Sequence, residues 1–242
     1  DDAVVEYPVD PQQIALALRI VSGISVVQIA RAFLVSESAM EQRITRAKAR
    51  VAKAGLPFEA PGAVERAERL TPVMAMIYLV FNEGYSAVAT NPDIAALCDE
   101  AIRLARLLLR IFPGEPEIMG LTALMLLQHS RRDTRHDADG QIVLLEDQDR
   151  SLWDRRQIEE ALALIDKAIR HRQPGPYQVQ AAIAALHARA AKAEDTDWAE
   201  IELLYRLLER LNPSPVVSLN RVVAISKVRG ASEALSMLGP LG

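Results

Sequence analysis

One cysteine, Cys98, stands among the 242 residues, so no disulfide can form within the chain. Cys98 falls in a helical apolar pattern and reads as a small core residue, not a nucleophile. Aromatic residues make up 5% of the chain, low for a β protein or for an RNA binder that stacks bases. No apolar run reaches the roughly 18 residues a membrane span needs, and no signal-peptide pattern is visible. A cytoplasmic protein with no membrane contact is therefore expected. No glycine-rich phosphate loop appears. His129, His136, His171 and His187 make no ligand pair at helical spacing, and no motif around Ser130 or Ser151 marks a nucleophile. The chain does not read as an enzyme, and no catalytic residue, metal or cofactor is expected. What the sequence has instead is alanine, leucine, arginine and glutamate, with few β-branched runs. Half of it is apolar, enough for a sizeable core. The expected fold class is all-α.

Charge is unevenly spread. The whole chain carries a formal −4, so it is no basic nucleic-acid binder overall. Residues 1–10 hold four acids and no base, and read as an acidic lead-in. Residues 11–55 hold seven bases, Arg19, Arg31, Arg43, Arg46, Lys48, Arg50 and Lys53, against only Glu37 and Glu41. The remainder is acidic. A basic island in an acidic chain is the pattern of a small DNA-contacting module joined to something else.

Apolar residues Ile14, Leu16, Ala17, Leu18 and Val21 repeat at helical spacing, and Gly23 stops that helix. Ser25 is an N-cap candidate for a short helix to about Phe33, with Gln28 as capping-box partner. Leu34-Val35 forms a turn. Ser36 caps a longer helix that ends near Gly55. Residues 56–62, LPFEAPG, hold two prolines and a glycine and are the best linker candidate. Beyond them, helices are expected near 64–82, 92–112, 115–130, 154–172, 176–191, 196–211, 214–228 and 231–238. Paired helices with proline-marked turns suggest a tetratricopeptide-like array over 63–242, clearest in LNPSPVVSLNRVVAISKVRGASEAL (211–235). The strict period and the usual tryptophan–glycine–tyrosine signature are absent, so an irregular helical bundle stays open.

Within 25–51, SVVQIARAFLVSESAMEQRITRAKARV, five requirements of a helix-turn-helix meet. Ala30 lets two helices approach, with apolar Ile29 and Phe33 on either side of it. Met40, Ile44, Ala47 and Val51 are spaced as one helical face. Arg43, Arg46, Arg50 and Lys53 form a basic stripe suited to phosphates. Glu37, Ser38, Glu41 and Gln42 stand at the helix start, where base edges are read. Ser36 at the cap leaves backbone N–H groups for a phosphate. The alternative is a solvated surface helix of an all-helical protein.

These residues resemble region 4 of bacterial RNA polymerase sigma factors of the extracytoplasmic-function class. QIARAFLVSESAMEQRITRAKARV follows the pattern I-A-x-x-[FL]-x-V-S-x-x-[AT]-[VM]-x-x-R-x-x-R-A-[KR]. ALALRIVSG before it and AGLPFEAP after it are similar to one subgroup, as are LTPVMAMIYLVFNEGYSA (70–87), DADGQIVLLEDQDRSLWDR (137–155) and much of the rest. Members of that subgroup carry a tetratricopeptide-like domain behind region 4. The resemblance implies that the second helix reads the promoter −35 element and that the module touches the β flap of core RNA polymerase. The DNA-binding role then falls on Ser36, Ser38, Glu41, Gln42, Arg43, Arg46 and Arg50. It also implies a helical domain that regulates or contacts the polymerase. The opposite charges of the two parts add the expectation of an intramolecular contact between them. Two departures stand out. Leu34 occupies a turn position often held by glycine, and nothing resembles region 2, which melts the −10 element. The chain is thus expected to be a fragment that does not initiate transcription alone. The rival expectations are a helical protein-interaction module whose helix-turn-helix is silent, and a free-standing repressor or activator.

Residues 135–146, RHDADGQIVLLE, thread through a calcium-loop template, but Arg135 stands where the first carboxylate ligand is needed. A tight turn at Asp139-Gly140 opening into a short extended arm is the alternative, with Asp147, Asp149 and Arg150 as caps or ion pairs and a role as a latch or contact surface. Asn82-Glu83-Gly84-Tyr85 reads as a helix C-terminus with Gly84 in a left-handed turn, and as a candidate partner contact. Trp153 and Trp198 read as packing anchors.

Overall fold

A computed structural model of the chain describes residues 12, 15, 16, 19, 20, 25–32, 35–54, 63–86 and 92–238. Its regular structure is helical, and no strand forms among the described residues. The helices with defined bounds are α1 (Val26–Ala32), α2 (Glu37–Ala54), α3 (Ala63–Ser86), α4 (Pro92–Ile111), α5 (Pro116–His129), α6 (Arg155–Ile169), α7 (Pro176–Arg189), α8 (Trp198–Leu211), α9 (Pro215–Arg229) and α10 (Ala231–Leu238). Residues 12, 15, 16, 19 and 20 are also helical. The fold is all-α. None of these helices is long and apolar enough to cross a membrane. The expected linker at 56–62, the glycine cap at Gly55 and the turn residue Leu34 lie outside the described residues.

The backbone divides into two compact units. One lies within Tyr7–Ala87 and Asn91–Ala101, the other within Ile102–Gly242. In the first, α1 and α2 pack together through Ile29, Ala30, Met40, Ile44 and Ala47, all buried. Longer α3 buries Met74, Ile77, Tyr78, Phe81 and Tyr85. Cys98 is buried, and its Sγ donates to the Phe81 carbonyl at 3.4 Å, as suits a small core residue.

Sequence-local signals place the helices of the second unit. Proline opens α5, α7 and α9, where a missing N–H is harmless and φ is already helical. Asp154 caps α6 by accepting from the Arg156 and Gln157 amides at 2.9 and 3.2 Å. Asp197 does the same for α8 through the Glu200 amide at 2.9 Å. Gly230, at φ 91°, ends α9 in a backbone conformation that an L side chain resists. Helix α5 is the centre: nearly every residue from Pro116 to His129 is buried, and no charge follows Glu117, so it is covered all round. It packs on α6 and α7, and the chain continues by neighbour packing from α7 to α8, α9 and α10. Gly120 lets α5 approach α7, because a Cβ there would stand 2.5 Å from the Gln178 amide nitrogen.

Between α5 and α6 the chain leaves helical periodicity but stays ordered. Asp137 accepts from the Asp139 and Gln141 amides at 3.0 and 2.8 Å, Gly140 takes φ 78°, and His136 bridges Ile142. This is the tight turn expected at Asp139-Gly140. Its arm makes only that one bridge. Asp149 caps the short 3-10 turn Arg150–Leu152. Arg150 acts through hydrogen bonds: its Nη1 donates to the carbonyls of His187 and Ala190, at 2.6 and 2.9 Å, closing off the end of α7. Trp153, buried, donates from Nε1 to Thr134 Oγ1 at 3.0 Å. Trp198 packs against the cluster of Val179, Ile183, Ile201, Leu208 and Val217. Both tryptophans are packing anchors.

One sequence expectation fails here. Asn82-Glu83-Gly84-Tyr85 does not end a helix, because α3 runs on through Ser86. Gly84 is helical and buried, not left-handed. Tyr85 stacks on Phe81 at 5.4 Å between ring centroids, and that burial carries the helix past its glycine.

Candidate nucleic-acid interface

The candidate site is built on α2, whose placement follows from its own sequence. Ser36 precedes the helix, and its Oγ accepts from the Ala39 amide at 3.3 Å while its carbonyl accepts from Met40 at 3.0 Å. Val35 closes the preceding turn on the Ala30 carbonyl at 3.0 Å. Two helices of 7 and 18 residues thus share one small core.

Positions around α2 follow from about 100° of rotation per residue. Met40, Ile44 and Ala47 define the buried side. Val51 continues that stripe in sequence but is 57% exposed, a correction to the expected four-residue face. The buried stripe of α2 ends at Ala47, short of its last turns. Phe33, expected in the same core, lies outside the described residues.

The side opposite the core is solvent-exposed. Ser38, Gln42 and Arg46 lie within about 60° of its centre, with Lys53 beside them. Arg43 and Arg50 occupy one flank. Arg43, nearest the core, is half-buried, and Arg50 donates to Gln12 Oε1 at 3.2 Å. Glu41 lies on the other flank with Glu37 and Lys48, about 100° around from Gln42. Ser38, Gln42 and Arg46 therefore share the exposed face, with Arg43 and Arg50 on one edge of it and Glu41 on the other. Ser36 sits at the amino-terminal end of the helix, exposed, within 3.2 Å of Ser38.

Two exposed residues at the centre of this face escape a reading by charge. Ala49 stands between Ser38 and Gln42 on the helical wheel, and Thr45 lies about 20° beyond Ser38. The signal was available in the spacing, since 38, 42, 45 and 49 repeat by four, three and four. A threonine hydroxyl can bond to a base edge, and an alanine lets the helix backbone come close. Chemically this side of α2 offers four bases, Arg43, Arg46, Arg50 and Lys53, with hydroxyl and amide groups at its middle. That combination suits a polyanion with a readable edge.

The second unit has its own electrostatic centre. Glu202, 4% exposed, accepts from Arg206 at 2.8 Å and pairs with Arg229 at 3.3 Å and Arg221 at 3.5 Å. Burial works to raise its pKa, but the Arg206 hydrogen bond and the three guanidinium charges together hold it below the ordinary value. Glu117 is the opposite case. Burial raises its pKa, although the Tyr177 and Gln178 amides and the Gln178 side chain all donate to its carboxylate. Among the described residues, no group of three His, Cys, Asp or Glu side chains is arranged to hold a metal ion.

Residues 69–169, from within α3 to the end of α6, are similar to a family of unknown function, DUF6596. Over 232 residues, 96% of its length, the chain is 73% identical to an uncharacterized protein of Rhizobium meliloti (strain 1021). The chain spans 55% of the length of that relative. No solved structure matches it.

Proposed function

We propose that the chain is part of an alternative sigma factor that recognises a promoter −35 element through α2 and helps recruit core RNA polymerase. One observation carries the reading. A basic, polar face formed by Ser38, Gln42, Thr45, Arg46 and Lys53 lies opposite the apolar side of α2 that packs on α1. In this reading α1 and α2 form a helix-turn-helix and α2 enters the major groove. Arg43, Arg46, Arg50 and Lys53 hold phosphates, and Ser36 at the start of α2 meets another. Gln42, Ser38 and Thr45 read base edges, and Glu41 reads from the edge of the face next to Thr45. The neighbour-to-neighbour packing from α5 to α10 supports a tetratricopeptide-like array, which would serve polymerase contact or regulation and no catalysis.

The test is selection of duplexes from a randomised −35-type library by the whole chain at two salt concentrations. Enrichment of one motif, weakened steeply by salt, is the expected result. Recovery of unselected duplexes only, or of none, would leave α2 as a surface helix.

A further inference from the structure

The segment between α5 and α6 forms one wall of a groove in the second unit. The groove has a volume of about 590 Å³, inside the roughly 300–1,000 Å³ of small-molecule sites. Its apolar surface comes from Leu144 and Leu145 of that segment, Trp198 and Tyr205 of α8, and Val223 of α9. Three polar residues join them: Arg150, Thr196 and Asn220. Each is more than nine-tenths buried. Arg150 Nε, Thr196 Oγ1 and Asn220 Nδ2 have no hydrogen-bonding partner among the described residues. Buried polar groups are nearly always paired, so three exceptions among the residues lining one groove ask for a reason. Arg150 is held beside the groove by its bonds to the His187 and Ala190 carbonyls, so its Nε cannot turn away without breaking them.

Charge narrows the ligand. Arg150 and Lys227 face Glu146, Asp147 and Glu194 around the groove. Lys227 is paired with Glu146 at 2.7 Å and sits over the Trp198 ring at 5.7 Å. The groove therefore has no cationic excess to select an anion. What remains unmet is donor capacity next to an apolar, partly aromatic wall.

We propose that this groove binds an uncharged organic molecule with carbonyl or amide oxygens and an aliphatic or aromatic body. The oxygens accept from Asn220, Thr196 and Arg150, and the body lies on Trp198, Tyr205 and Leu145. All three side chains line the groove, and a ligand oxygen there would supply the partner that their buried polar atoms lack. Nothing in this depends on α2 reading DNA, so either idea can fail alone.

The probe is N-acetyl-leucinamide, titrated into the whole chain and followed by the indole N–H resonance of Trp198, assigned with W198F. 4-Methylpentanoate and isoamylamine carry a similar body with a negative or positive charge. The expected result is a saturable shift with the amide, at a Kd of roughly millimolar order for so small a ligand. Both charged probes should bind at least fivefold more weakly. N220A and T196V should each weaken the amide at least fivefold while the thermal midpoint of the free protein shows both variants folded. Two variants are used so that one that fails to fold does not decide the matter. No saturable shift, unchanged affinity in the folded variants, or equal or tighter binding of either charged probe overturns the proposal.

Discussion

The sharpest consequence of the α2 geometry is an asymmetry between two of its bases. Arg46 lies near the centre of the exposed face and Lys48 lies about 160° around the helix from it. Both are exposed, and replacing either with alanine, a strong helix former, leaves the α1–α2 core untouched. If Arg43, Arg46, Arg50 and Lys53 each neutralise one phosphate, log K should fall with log salt at a slope of about −3.6. Raising salt from about 50 to 200 mM then weakens binding about 150-fold. Losing Arg46 should lower the slope to about −2.7 and the loss to about 40-fold over the same range. Lys48→Ala should leave the slope of the parent chain. The assay is fluorescence anisotropy with a selected duplex at four or more salt concentrations. Equal slopes for R46A and K48A would mean that positive charge alone drives binding, and the orientation of α2 argued above would be wrong.

Four further outcomes test the second unit. Glu202→Gln removes the carboxylate shared by Arg206, Arg221 and Arg229, and should cost about 2–3 kcal/mol at neutral pH, below the usual penalty for a broken buried pair because the arginines are partly exposed. Its folded pKa lies below the ordinary 4.5, so the parent's advantage over E202Q should be full above that value and fade as pH falls through the lowered pKa; urea melts showing an advantage that grows in acid would contradict this. Glu117 has a raised folded pKa, so its slope is reversed: relative to E117Q, the parent should lose stability as pH rises from about 4.5 through the raised value, and a flat difference would remove the assignment. Gly120→Ala gains helix propensity but drives a Cβ against the backbone at Gln178, and should destabilise by about 1–3 kcal/mol; a higher melting temperature would show that α5 and α7 can separate. Arg150→Ala abandons the carbonyls of His187 and Ala190 and should cost about 2–3 kcal/mol, with increased amide exchange at the end of α7 as the local sign; protection left unchanged there would mean the guanidinium latches nothing.

The helices of the second unit were legible because their ends are set by neighbours in sequence. Asp154, Asp197, Ser214, the three opening prolines and Gly230 act within a few residues of themselves, so the boundaries follow from local chemistry. The stretch at 82–85 misled because its glycine carries a local preference of only about 1 kcal/mol against helix. Burying the i, i+4 pair Phe81 and Tyr85 outweighs that, and burial, unlike the pairing itself, is not read from the spacing. On α2 the apolar stripe and the basic stripe were both readable from period alone. What periodicity does not carry is how far along α2 its apolar stripe is covered, so Val51 reads as core and stands in solvent.

The segment from Arg135 to Asp154 is where sequence reasoning stops, and the physical cause is distance along the chain. Its order rests on bonds between partners 14 to 40 residues apart: Gln148 with Thr134, Trp153 with Thr134, and Arg150 with His187 and Ala190. None of these leaves a period. Irregular backbone fixed by buried side chains is an expensive way merely to connect two helices, since each ordered residue gives up conformational freedom without a helical bond in return. A plain turn would join α5 to α6 with fewer residues. The longer path is accounted for if its product is the wall it presents: Leu144 and Leu145 facing Trp198, with Arg150 held rigidly between the end of α7 and the groove. On that argument the polar run DADGQIVLLEDQDR is a built surface, and its arginine serves α7 with one nitrogen while keeping another for a ligand.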